Sequence, residues 1–244
     1  MIAKGKRISD MNPIIQVIEG KLDGCIVCGD CREIMGNIPD GCIDAVVGDA
    51  PYALGTAYRS YEDTTENSEE LGRYTVPHIK RIAECGLITA GIEGMWIWPR
   101  PDWVLAWHIK NPHSSCSWGF HSWQPILAYG KDPYLKRGLG RRPTCYLDTN
   151  SVEKKVKGHP CPKDLAITTW MIERASPNHS AIILDPFCGS GTTCVAAKKL
   201  GRKYIGIEID ERYCEIARNR VKNTPAPIIV DGKKREVKGK VSFF

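Results

Sequence analysis

The chain has 244 residues, 42% of them hydrophobic and 25% charged, which suits one α/β domain with a sizeable core and leaves too little for two. No apolar run reaches about 18 residues, and the start, MIAKGKRISDMNPII, has neither a long apolar stretch nor a small-residue cleavage site, so a cytoplasmic location without a membrane span is expected. The net charge of +6 is modest, and the eleven cysteines read as reduced, mostly buried thiols, with no metal site expected from the cluster Cys25, Cys28 and Cys31.

Residues 1–21 read as an N-terminal extension. Cys25–Gly29 has the character of a short strand, and Arg32–Ile38 that of a helix or turn. Ile43–Val47 is an apolar run of buried-strand type that ends in Gly48-Asp49-Ala50-Pro51-Tyr52. Tyr58–Gly72, polar and acid-rich, predicts a mobile loop. Val76–Cys85 carries Ile79, Ile82 and Ala83 at helical spacing, and Gly86–Ala90, Trp103–Ile109 and Pro125–Tyr129 read as strands. Lys131–Gly158 has few apolar residues and predicts a loop or insertion, taken as 131–157. Ala166–Ala175 predicts a helix, Ala181–Leu184 a buried strand, and Thr192–Leu200 a helix stopped by Gly201. Tyr204–Ile209 is the next strand, Glu211–Asn223 an amphipathic helix, and 224–244 a basic tail. Strands alternating with helices imply a mostly parallel sheet covered on both faces, with right-handed crossovers.

The strongest local signal is Ile182–Thr193, IILDPFCGSGTT, in which an apolar strand enters a glycine-rich turn and then a helix. Such a turn lies at the carboxyl end of a strand, where open α/β sheets bind ligands. Gly189 and Gly191 let the backbone pass close to a ligand. Glu208 ends the following strand, where a carboxylate can accept from both hydroxyls of a ribose. Gly-x-Gly also occurs in dehydrogenases, but Cys194 stands where their third glycine would be.

Together DPFCGSGTT, YIGIEID and ERYCEIARNRV resemble the S-adenosylmethionine half of the amino-methylating DNA methyltransferases. The segment His159-Pro160-Cys161-Pro162-Lys163 resembles the motif preceding it, with Asp164 where the family tends to have Pro. IVCGDCREIMGNIPDGCIDAVVGDAPY resembles the catalytic half, so the halves stand in the permuted β-group order, 22–130 before 158–223. The resemblance implies a circularly permuted Rossmann-like fold with a seven-stranded sheet. It also implies S-adenosylmethionine as cofactor, DNA as partner, and a setting in restriction-modification, a phage or a mobile element. By that resemblance Asp185, Pro186, Phe187, Gly189 and Gly191 form the cofactor turn, and Glu208 holds the ribose. Asp30 meets the adenine amino group of the cofactor, and His159 and Lys163 lie near its methionine end.

Asp49, Ala50, Pro51 and Tyr52 resemble the family's Asp-Pro-Pro-Tyr catalytic motif. An exocyclic amino nitrogen is a poor nucleophile because its lone pair is delocalised into the ring. A carboxylate and a backbone carbonyl accepting its two N–H bonds favour a tetrahedral nitrogen whose lone pair can point at the methyl. Tyr52 offers a ring on which a flipped base can stack. Asp at the first position points to adenine N6, with cytosine N4 second, since those enzymes more often have Ser there. Ala50 departs from the family's Pro and brings a backbone N–H that needs a partner. A protein that binds nucleic acid through a decayed site, an enzyme acting on RNA or a small molecule, and a dehydrogenase stand as alternatives.

Nine basic residues between Lys131 and Lys163 face three acidic ones, so this stretch carries an excess equal to that of the whole chain. Arg137, Arg141 and Arg142 are its candidate phosphate contacts. Six of the seven tryptophans lie between Trp96 and Trp123, and core packing is their default reading. Asn111, His113 and Trp118 are the candidates for substrate contact. An insertion this short predicts brief or relaxed recognition, or help from a second subunit in a homodimer.

Overall fold

The computed structural model describes residues 12–110, 115–147, 163–225, 229–230 and 233–234. The chain opens with α1 (Asn12–Ile18), β1 (Gly24–Cys28), α2 (Cys31–Gly36), β2 (Ile43–Asp49), α3 (Thr65–Ile82), β3 (Ala83–Thr89), α4 (Gly91–Ile97) and β4 (Trp103–His108). A small hairpin of β5 (Ser115–Cys116) and β6 (Gly119–Phe120) leads to β7 (Trp123–Gly130), α5 (Pro133–Lys136) and β8 (Cys145–Leu147). Then come α6 (Leu165–Ala175), β9 (Ile182–Asp185), α7 (Thr192–Lys199), β10 (Lys203–Glu208) and α8 (Glu211–Lys222). A last pair, β11 (Ile229–Val230) and β12 (Lys233–Lys234), forms a separate hairpin.

The main sheet has the order β1-β10-β9-β2-β3-β7-β4-β8. β7 alone is antiparallel to its neighbours β3 and β4. Residues of the central strands alternate between two cores. Val46, Ile88 and Leu127 face the side covered by Ile14 of α1 and Ile79 and Ile82 of α3. Ala45, Val47, Leu87 and Ile126 face the side covered by Ile167 and Met171 of α6 and Ala196 of α7. Both faces are therefore covered by helices, which is why these strands read as unbroken apolar runs.

The chain-distant strands β2 and β9 lie side by side and parallel, with Ala45 opposite Ile183 and Val46 opposite Leu184. From β9 the chain winds to one side through β10, and from β2 to the other through β3. The crevice between their carboxyl ends is thus the switch point of the sheet. Gly48 makes the approach possible: a Cβ there would stand 3.1 Å from Asp185 Oδ1 and 3.2 Å from Pro186 Cδ.

Four elements differ from the sequence reading. The sheet has eight strands, not seven, because β8 of the supposed insertion pairs with β4 through Ala106, Trp107 and His108. The N-terminal extension is in the fold from Asn12 onwards, with Ile14 and Val17 fully buried. Residues 65–72, expected in a mobile loop, form the first two turns of α3, capped by Thr64, which accepts from Asn67 N. The buried stripe there is Ser68, Leu71, Gly72 and Thr75, in which one large apolar residue makes no readable periodicity. Ser68 and Gly72 make room for Trp98, whose Nε1 donates to Ser68 Oγ at 3.1 Å. Finally, β1 belongs to the first half of the chain but pairs with β10, on the side of the glycine-rich turn.

Candidate active site

The turn after β9 is tied down by backbone donors. Asp185 is buried and accepts from Phe187 N at 2.9 Å. Burial, with the nearby carboxylates of Asp49 and Glu208, pushes its carboxyl up to about 7 against hydrogen bonds from Thr193 and Phe187. Cys188 N donates to Ile207 O at 2.9 Å and Gly191 N to Cys188 O at 2.7 Å. Gly191 caps α7 at φ +82°, and a Cβ there would meet Ala217 Cβ at 2.8 Å, so glycine is required on two counts.

Glu208 accepts from Gly189 N at 2.8 Å and from Asp210 N at 2.9 Å. Burial raises its pKa. Each oxygen keeps a lone pair for a further donor, as a ribose ligand needs. Asp30 caps α2 by accepting from Arg32 N at 2.8 Å and is clamped by the Arg32 guanidinium at 2.7 Å. That clamp was not foreseen in the sequence.

Across the crevice, Asp49 ends β2 and is held by side chains. Its Oδ1 accepts from Tyr52 OH at 2.8 Å, from Thr89 Oγ1, and from Lys163 Nζ at 2.9 Å. Lys163 also donates to the Tyr52 hydroxyl, which lies 3.0 Å from Gln124 Oε1. The ammonium sits 5.1 Å from the Tyr52 ring centroid and 4.8 Å from that of Trp107. Burial disfavours its charge, but Asp49 and Tyr52 outweigh that and hold its pKa above the ordinary lysine range. Burial raises the pKa of Tyr52, which therefore stays a phenol.

The N–H that Ala50 has and proline lacks is satisfied, donating to Thr89 O at 2.8 Å. The following loop folds around Asp63, a buried carboxylate that accepts from Ala53 N at 2.8 Å, Leu54 N at 3.1 Å and Thr56 N at 3.0 Å. It holds Ala53 at φ +57°.

Both groups of residues line one cavity of 470 Å³, with Asp30, Asp185, Phe187, Gly189 and Glu208 towards one end and Asp49, Tyr52, Trp107, Gln124 and Lys163 towards the other. The volume suits a nucleoside-sized cofactor, and the close backbone passage at Gly48 and Gly191 with two buried carboxylates fits S-adenosylmethionine. Ala50, Pro51 and Pro186 also border it. Lys163, expected near the methionine end of the cofactor, has its ammonium bound to the catalytic-motif carboxylate. Trp107, Gln124 and Thr89 were not singled out from the sequence. Gln124 is a polar residue inside the apolar strand WQPILAYG, which is the signal that could have found it.

The candidate nucleic-acid residues scatter. Trp118 stands in the two-residue turn between β5 and β6 and is 97% exposed, with Phe120 beside it also exposed. Because β7 is antiparallel to β3, its first residues lie at the carboxyl ends of β2 and β3, so this hairpin springs from the cavity rim. Arg137 and Arg142 do not join it. Arg137 is paired with Glu84 at 2.7 Å, at the opposite end of β3, and Arg142 stacks on Tyr134, whose hydroxyl donates to Glu173 O at the end of α6. Arg141 lies exposed one residue before Arg142. Asn111, His113 and His159 lie outside the described residues. Of the tryptophans, Trp98 is core, while Trp96, Trp103 and Trp118 are exposed. None of the nine cysteines whose side chains are described forms a disulfide, and Cys28 neighbours Cys214 and Glu211, with their ligand-type atoms within 4.8 Å. Among the described residues no helix is long and apolar enough to cross a membrane.

Comparison with known proteins matches residues 92–219 to the N6/N4 methyltransferase family, described as DNA methylase. YubD of Escherichia coli (strain K12), a candidate methylase, is 30% identical over 212 residues, 79% of this chain and 88% of its own. The type II methyltransferase M2.DpnII of Streptococcus pneumoniae is 46% identical over 136 residues, 48% of this chain and 49% of its own. Among solved structures, the PvuII cytosine-N4-specific DNA methyltransferase superposes with a TM-score of 0.64 at 15% identity, covering 81% of this chain and 86% of that one. The chain belongs to the N6/N4 family of DNA methylases, whose methyl donor is S-adenosylmethionine.

Proposed function

We propose that this methylase acts on the N6 amino group of an adenine flipped out of duplex DNA. The observation that carries the reading is the single cavity in which the Asp49–Tyr52 turn faces the Asp185–Gly191 turn across the switch point of the sheet. Asp185, Gly189, Glu208 and Asp30 hold the donor, which supplies an electrophilic methyl group on a sulfonium. Asp49 accepts one N–H of the target amino group and the Ala50 carbonyl the other, which frees the nitrogen lone pair. Asp49 then stabilises the positive charge that grows on nitrogen, and its carboxylate is the nearest acceptor for the proton released. Tyr52 and Trp107 offer the ring faces that receive the base.

Asp at the head of the motif supports adenine over cytosine. The satisfied Ala50 N–H supports an active enzyme rather than a decayed one, since the departure from Pro leaves no orphan donor. Trp118 and Phe120 act at the rim, where an exposed ring fills the gap a flipped base leaves. Relatives named as type II methyltransferases support a restriction-modification setting.

The test is transfer of labelled methyl from S-adenosylmethionine to DNA, followed by nucleoside analysis and sequencing of the modified sites. N6-methyldeoxyadenosine within a short sequence is the expected product. N4-methyldeoxycytidine would reassign the base, and absence of any transfer would sink the reading.

A further inference from the structure

Lys163 occupies the place where chemistry is expected. Its Nζ is 2.9 Å from Asp49 Oδ1 and bonded to the Tyr52 hydroxyl, between the rings of Tyr52 and Trp107. A carboxylate, a phenol oxygen and two aromatic faces around one nitrogen also make the environment needed by an amino nitrogen acquiring positive charge. Building on the methyltransferase reading, we propose that the Lys163 ammonium is a resident stand-in for the target amino group, and that it keeps the base subsite closed until the donor is bound.

Two nitrogens cannot share this position. Asp49 Oδ1 already receives Tyr52, Thr89 and Lys163, so a base whose amino group is to sit on this oxygen between the two rings must take the lysine's place. The lysine is the donor to displace, because a fixed positive charge would repel the charge that develops on the nucleophile. The side chain can leave without moving the backbone. Asp164, the next residue, is fixed as the cap of α6 by hydrogen bonds from Ala166 N at 2.6 Å and Ile167 N at 3.3 Å. The four methylenes of Lys163 supply the reach. What draws the ammonium away is a competing anion, and the amino-acid carboxylate of the donor is the anion that arrives in the same cavity. Donor and flipped base are thus coupled positively, and the coupling passes through one side chain.

The experiment uses a duplex containing the sequence that the wild-type enzyme methylates, with 2-aminopurine at the target adenine, or pyrrolocytosine if the target proves to be cytosine. In wild type the fluorescence should rise several-fold when S-adenosylhomocysteine is added to the protein–DNA complex. It should stay flat with methylthioadenosine, which lacks the carboxylate. In Lys163→Ala and Lys163→Met the rise should appear with no cofactor, and Lys163→Arg should restore the requirement. Calorimetric binding of S-adenosylhomocysteine reports that each variant is folded. A rise in wild type without cofactor, an equal response to methylthioadenosine, or neutral variants that bind S-adenosylhomocysteine yet still require it would each overturn the proposal. Methyl transfer to the unmodified duplex is measured alongside: its absence counts against the methyltransferase reading, its presence without the gating pattern against the stand-in alone.

Discussion

The two ends of the cavity are held in different ways. At the Asp185–Glu208 end the partners are largely main-chain amides: Phe187 N on Asp185, and Gly189 N and Asp210 N on Glu208. At the Asp49 end they are all side chains: Thr89, Tyr52 and Lys163. Main-chain donors are locked by the sheet and α7, while hydroxyls and ammonium groups can rotate away. The first end is a preformed socket, and the second must exchange a partner before it can work.

The largest expected effect separates the two ends. Asp49→Ala should lower methyl transfer by ~10³-fold while S-adenosylhomocysteine affinity changes little. A matching loss of cofactor affinity, read by calorimetry, would mean that the ends are not independent. Asp185 tests the socket. Its carboxyl is raised from 3.8 to about 7, so the folded state holds the proton more tightly than the unfolded chain. On this group's account, the donor-free fold is most stable below the unfolded value and loses stability as pH climbs through 7. Asp185→Asn removes that dependence, so the variant should gain on wild type by up to ~4 kcal/mol between about pH 4 and pH 8. Urea unfolding across that range checks it, and parallel profiles would refute the strain assigned to this carboxyl.

Trp118→Ala should leave cofactor binding intact and weaken DNA binding by the ~1–3 kcal/mol of a lost stacking ring. Unchanged DNA affinity in a filter or anisotropy assay would remove the hairpin from the interface. Ala50→Pro should have the smallest effect. It gives up the hydrogen bond to Thr89 O but stiffens the turn by ~0.4–1 kcal/mol, so activity should stay within a few-fold of wild type.

The same contrast explains what the sequence could disclose. The socket is local: Asp185 to Gly191 and Glu208 lie on consecutive elements, and strand, glycine turn and helix are written in one continuous stretch. The other end gathers Asp49, Thr89, Trp107, Gln124 and Lys163 from five separate parts of the chain, and only Asp49 and Lys163 carry a recognisable motif. Arg137 misled for the same reason, since a count of basic residues does not say at which edge of a sheet each one lies. The first turns of α3 were hidden because, Leu71 apart, what they bury is small or polar, with Ser68 and Gly72 shaped to Trp98.

The reversed direction of β7 has a consequence for descent as well as for shape. It turns the β4–β7 connection into a detour that begins and ends at the reaction rim, on a pair of strands firmly zipped from Trp103 to His108. Such a detour can lengthen, shorten or be replaced in a lineage without disturbing the socket or the acid at the end of β2.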